Sequence, residues 1–170
     1  MAGFHTKTFT KHDDYMTPKY AWSNITDYIP KDKVIWEPFM GNGASGEYLR
    51  ELGCQEVIHL DEDFFETNRG DVIVTNPPFS QSKAVMKRLR ELDKPFILIM
   101  PSSKICTSYF RENFKDAEDP IQIIIPRKRI HFQKLVGGRL LENQKKQCNF
   151  DCFYYCYKMN LPRDIVWLDE

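Results

Sequence analysis

The sequence predicts an α/β fold: a mostly parallel, twisted sheet with helices on both faces, one flank trimmed, and an antiparallel strand near the C-terminus. Three observations predict it. Apolar runs bounded by Pro, Gly and Asp alternate with amphipathic helical stretches along the 170 residues. A buried run, Val34-Ile35-Trp36, leads into Gly41-Asn42-Gly43 and then a helix, the layout of a nucleotide-binding turn. Asp71 follows Asp61 by only ten positions, too few for a helical crossover and a further strand.

Composition narrows the class. An apolar content of 42% supports one compact domain, expected over residues 13–170 behind a flexible arm at 1–12, with no separate target-recognition domain. Lys plus Arg and Asp plus Glu each number 24, so any polyanion-binding surface is local. No apolar run reaches the length of a membrane span, and the polar N-terminus is no secretory signal, so no membrane partner is expected. Five scattered cysteines suit a reducing, intracellular compartment.

Thr17 and Pro18 suit the cap and first position of a helix reaching about Tyr28. Val34–Trp36 is the first buried strand, and a helix over about 45–52 ends at Gly53. Glu56–Leu60 is the second strand, ending at Asp61. Returning beneath the sheet and past one strand takes roughly 20 Å along and 10 Å across. Ten extended residues reach about 33 Å, so a direct loop suffices. Asp71–Thr75 is the next strand, closed by Pro77 and Pro78, which cannot continue a ladder. A helix over about 81–92 buries Val85, Leu89 and Leu92 with basic residues opposite. Pro95–Pro101 is a buried strand, Ser102 or Ser103 caps a helix from about Lys104 to Phe114, and Pro120–Ile125 is again a strand. A basic loop spans 127–147, with Gly137-Gly138 inside it. An aromatic strand, Phe150–Tyr157, and a short one over 164–168 complete the chain. Cys148, Cys152 and Cys156 fall on one strand face and read as buried thiols rather than a zinc site; no metal is expected.

The chemistry gathers at two strand ends. Gly41 and Gly43 let a ligand approach the backbone, but no P-loop lysine accompanies them. Glu37 precedes them instead. A carboxylate there repels pyrophosphate and suits a cationic or amino-bearing ligand, while Asp61 ends the second strand, where an acid takes ribose hydroxyls. Together they suggest a nucleoside cofactor with a positive amino acid part. At the other strand end, Asn76-Pro77-Pro78-Phe79 offers an amide, a backbone carbonyl and a flat ring, which suit an amino group on a planar base.

Asn76-Pro77-Pro78-Phe79, with Glu37-Pro38-Phe39-Met40-Gly41-Asn42-Gly43 upstream, resembles the S-adenosylmethionine-dependent N6-adenine DNA methyltransferases, in particular the compact viral or phage type. The resemblance covers about residues 13–125 and implies a Rossmann-like class I methyltransferase fold with S-adenosyl-L-methionine as cofactor. Asn-Pro-Pro-Tyr/Phe also occurs in enzymes acting on RNA adenine or protein glutamine, and a catalytically inactive scaffold subunit of the same fold is a further alternative, against which the intact Glu37, Gly41, Gly43, Asp61 and Asn76 argue. The resemblance further implies that Tyr15 and Thr17 belong to an N-terminal cofactor motif with Glu37, Phe39, Gly41 and Gly43. Asp61 matches the ribose-binding acid, and Asp63 with Phe64 matches the Asp-Phe motif beside the cofactor adenine. It implies direct methyl transfer at Asn76, Pro77, Pro78 and Phe79, with Asn76 also beside the cofactor. Arg127, Lys128, Arg129, Lys134 and Arg139 are the expected nucleic-acid contacts, DNA before RNA. Target recognition would come either from the basic loop reading a short motif or from a homodimer or partner subunit, and a viral origin would place the protein in the host cytoplasm or nucleus.

Overall fold

Seven strands form the main sheet in a computed structural model that describes residues 15–136, 139–140 and 150–169. The expected arm at 1–12 and Cys148 lie outside them. In chain order the strands are β1 (Tyr15–Met16), β2 (Val34–Trp36), β3 (Glu56–Ile58), β4 (Val72–Thr75), β5 (Phe96–Pro101), β6 (Ile121–Ile125), β7 (Gln133–Val136), β8 (Arg139–Leu140), β9 (Cys152–Tyr157) and β10 (Ile165–Trp167). The helices are α1 (Lys19–Ser23), α2 (Ala44–Glu51), α3 (Ser82–Leu92) and α4 (Ser108–Phe114). The main sheet runs β10-β6-β9-β5-β4-β2-β3. β9 is antiparallel to both β5 and β6, and the remaining pairs are parallel.

Strand alternation splits the core in two. In β4, Val72 and Val74 face a cluster with Trp22, Ile25 and Leu49, from the α1–α2 side. Ile73 faces the other cluster, with Val85, Met86 and Leu89 of α3 and Phe110 and Phe114 of α4. Helices therefore cover both faces. Cys152 and Cys156 are buried in the first cluster.

The trimmed flank is closed by a loop. β3 and β4 lie on either side of β2, so the chain between them passes under one strand. Phe64 fills the place a crossover helix would occupy: it is fully buried, with ring centroids 5.6 Å from Trp36, 5.1 Å from Phe39 and 5.5 Å from Phe65. Gly70, at φ +68°, carries the loop past β2, where a Cβ would lie 2.9 Å from that of Trp36. Asp71 then locks the register, its amide donating to the Val34 carbonyl (2.8 Å) and its carboxylate accepting from the Val34 amide (2.9 Å).

Three elements differ from the sequence expectation. The first helix is only Lys19–Ser23, capped at Pro18, followed by a 3-10 turn at Thr26–Tyr28; the Thr17 hydroxyl is used elsewhere. Residues Ser102–Cys106 form a 3-10 turn, so the α4 cap is Thr107, which accepts from the Phe110 amide (3.3 Å), and neither Ser102 nor Ser103. Within the expected basic loop, β7 and β8 make an antiparallel hairpin, and β7 pairs with β1 through Tyr15–Lys134 and Met16–Gln133. Among the described residues no helix is long and apolar enough to cross a membrane.

Candidate active site

The carboxyl ends of β2 and β4 lie side by side, and Glu37 joins them. Glu37 is 2% exposed, and its carboxyl accepts the Phe39 backbone amide at 2.9 Å, the Thr75 hydroxyl and the Asn76 backbone amide. Burial pushes this carboxyl up to about 8, against the opposing effect of those three donors. Glu37 thus faces protein and fixes the backbone on which Asn76 sits.

Past Glu37 the chain turns through two left-handed glycines, Gly41 at φ +53° and Gly43 at φ +84°. Met16 packs on the first: a Cβ on Gly41 would come 3.1 Å from its Sδ. Asn42 accepts the Ala44 amide (3.1 Å) where α2 begins. Behind the turn, His59 clamps the helix. Its Nδ1 accepts the Gly46 amide (3.0 Å), which leaves Nε2 to donate to the Phe39 carbonyl (3.1 Å). Burial lowers the His59 pKa, in keeping with this neutral tautomer. Gly46 has to be glycine, because a Cβ there would lie 2.3 Å from His59 Nδ1.

Asn76 follows β4. Its Nδ2 donates to the Thr17 hydroxyl at 2.7 Å, across 59 positions of sequence. Its Oδ1 is buried and accepts nothing among the described residues. The Pro78 carbonyl accepts the Gln81 amide (3.0 Å), and among the described residues no hydrogen bond reaches the Pro77 carbonyl. Pro77 and Pro78 are buried, and Phe79 is half-buried at the start of a 3-10 turn, Phe79–Gln81. The Phe79 ring stands edge-on to Phe132 (5.9 Å) and Phe150 (5.4 Å), which stack on each other at 6.0 Å. Those two rings bracket the hairpin segment.

The other expected residues are distributed as follows. Thr17, Glu37, Phe39, Gly41, Gly43 and Asn76 converge on this one sheet edge. Asp61 is exposed beyond β3. Asp63 is 9% exposed; its Oδ1 accepts the Phe65 amide (2.9 Å), and its Oδ2 is buried with no partner among the described residues. Phe64 is fully buried in the core cluster described above. Arg129 forks onto Asp151 at 2.9 and 3.1 Å, and Arg127 donates to the Asp169 carbonyl (2.9 Å). Lys128 is exposed. The side chains of Tyr15, Lys134 and Arg139 lie outside the described residues. Sequence reasoning passed over Met16, Thr75, Gly46, Phe132 and Phe150. A threonine ending the otherwise apolar β4 next to Asn76 was a readable signal for Thr75; the others depend on contacts distant in sequence.

No protein-family model and no curated protein matches the chain. Solved structures do. One is a protein provisionally named as a class I S-adenosylmethionine-dependent methyltransferase from Listeria monocytogenes, at TM-score 0.52 and 13% identity over 95% of this chain and 67% of that one. Another is a precorrin-6y C5,15-methyltransferase from Geobacter metallireducens, at TM-score 0.48 and 10% identity, covering 92% and 97%. The strand order, the glycine turn after β2 and the first of these likenesses together establish a Rossmann-like class I methyltransferase fold.

Proposed function

We propose that the protein is an S-adenosylmethionine-dependent methyltransferase acting on the N6 amino group of adenine in DNA. The observation that carries this reading is Asn76, with Nδ2 tied to Thr17 and Oδ1 buried without a donor at the carboxyl end of β4. A buried amide oxygen is costly unless it is hydrogen-bonded, so this one is arranged for a ligand donor. An exocyclic amine brings two N–H donors, and the adjacent Pro77 carbonyl is a second open acceptor.

The residues fit the cofactor. Gly41 and Gly43 take the left-handed conformations that shape the turn after β2, and the unpartnered Asp63 Oδ2 is an acceptor for an amino group. Bound there, S-adenosylmethionine would supply an electrophilic methyl on a positively charged sulfur, with a neutral thioether as the leaving group. Asn76 Oδ1 and the Pro77 carbonyl accept the two amine hydrogens and draw the nitrogen lone pair out of conjugation with the ring. That lone pair forms the new N–C bond, and the surplus proton leaves the nitrogen for solvent. Thr17 holds the amide in the orientation that presents its oxygen, and Phe79 offers its ring to the base. This is catalysis by positioning and by preorganised dipoles, with no covalent enzyme intermediate. A base in duplex DNA must first be flipped out of the stack.

The test is transfer of labelled methyl to DNA, RNA and protein, followed by nucleoside and amino acid analysis. The expected product is N6-methyladenine in DNA. Label confined to RNA, to glutamine, or absent altogether contradicts the reading, and the last outcome makes the chain an inactive scaffold.

A further inference from the structure

Beside the catalytic turn, outside the residues assigned so far, α3 and α4 enclose an open groove of about 680 Å³. Ser80 and Gln81, which directly follow Phe79, form its head. Lys83 and Lys87 line one wall from α3, and Tyr109 and Asn113 the other from α4. Both helices start at the sheet edge that carries Asn76, so the groove leads away from the candidate active site down the molecule's flank.

The cations nearest the groove differ in their commitments. On α3 itself, Arg88 pairs with Glu91 (3.6 Å) and Arg90 with Asp93 (2.7 Å). Arg129 is committed to Asp151 and Arg127 to a backbone carbonyl. Lys83 and Lys87 are exposed and make no ion pair or hydrogen bond among the described residues. They sit four positions apart on one helix face, about 6 Å along its axis, comparable to the step between neighbouring phosphates on an extended strand. Glu112 is the groove's acid, leaving it net positive. Tyr109 adds a partly buried ring on which a base can stack.

We propose that this groove binds the sugar–phosphate backbone of the strand flanking the target base, with Lys83 and Lys87 on successive phosphates and Tyr109 against a neighbouring base. The proposal rests on the nucleic-acid reading above, and the experiment separates the two. Binding of a fluorescent, adenine-containing single-stranded oligonucleotide is measured over a salt series for the wild type, for Lys83→Ala/Lys87→Ala and for Lys33→Ala, an exposed control near the start of β2. Melting temperature and cofactor binding are measured alongside. The double variant is expected to bind about tenfold more weakly, with the salt slope reduced by about 1.4, the value for two lost phosphate contacts on a single strand. Melting temperature, cofactor affinity and the Lys33→Ala slope should stay unchanged. An unchanged slope in the double variant, with DNA methylation intact in the wild type, overturns the groove and leaves the function standing. A wild type that methylates only protein overturns both. Loss of affinity for a polyglutamate peptide but not for the oligonucleotide assigns the groove to an acidic protein and likewise overturns the proposal.

Discussion

Two strand ends a single ladder apart show opposite states of polar satisfaction. At β2, Glu37 collects donors from Phe39, Thr75 and Asn76, and His59 bridges Gly46 to Phe39. At β4, Asn76 is held by one end of its amide and left open at the other. The first arrangement is self-contained and shapes a turn. The second is incomplete until a donor arrives. An acidic residue at a strand end is thus no sure mark of ligand contact; here the buried Glu37 carboxyl supports the backbone, and the Asn76 amide keeps an open acceptor.

The predictions follow that contrast from large to small. Asn76→Ala removes the open acceptor and should lower methyl transfer by at least about 10²-fold, the scale of one preorganised polar group. Asn76→Asp keeps an acceptor that the Thr17 hydroxyl can donate to, and should retain measurable turnover. Gly46→Ala forces a Cβ into His59 and should cost several degrees of melting temperature and loosen the cofactor turn; a variant as stable as the wild type would show that the clamp is dispensable.

Glu37→Gln probes the self-contained side through pH. The folded carboxyl stays protonated up to about 8, whereas the unfolded one ionises near 4.5. The folded state therefore binds the extra proton between those values, and this group makes stability fall as pH rises through that window. Glu37→Gln should flatten that part of the profile in denaturant titrations of the cofactor-free protein. Parallel profiles for variant and wild type would contradict the assignment. Thr17→Val frees the Asn76 amide to rotate and should lower kcat about tenfold with little change in KM. The smallest effect belongs to Arg129→Ala. It breaks an exposed ion pair worth about 0–1 kcal/mol, so stability should barely move, and oligonucleotide affinity should fall less than in Lys83→Ala/Lys87→Ala.

The self-contained side was the more legible in sequence. Val34–Trp36 and Val72–Val74 are unbroken apolar runs soon followed by Pro, so their ends, and with them Glu37, Gly41, Gly43 and Asn76, could be placed from local signals alone. The ten-position step from Asp61 to Asp71 gave the trimmed flank by chain length. What could not be read depends on distant partners. Thr17 looked like a helix cap because a hydroxyl before proline usually is one, and only the folded chain brings it to Asn76. Phe64 resembles a cofactor contact in its motif, and only the folded chain shows its ring fully buried against Trp36 and Phe39. The β7–β8 hairpin hides in a polar segment whose strand partner, β1, lies more than a hundred positions away.

The most direct test of the central claim is to measure methyl transfer and cofactor binding on the same preparation of Asn76→Ala. Transfer to adenine lost, with the calorimetric dissociation constant for the cofactor within a few fold of wild type, is the predicted result. Turnover comparable to wild type would contradict it and show that the open amide oxygen of Asn76 is not where the amino group is held.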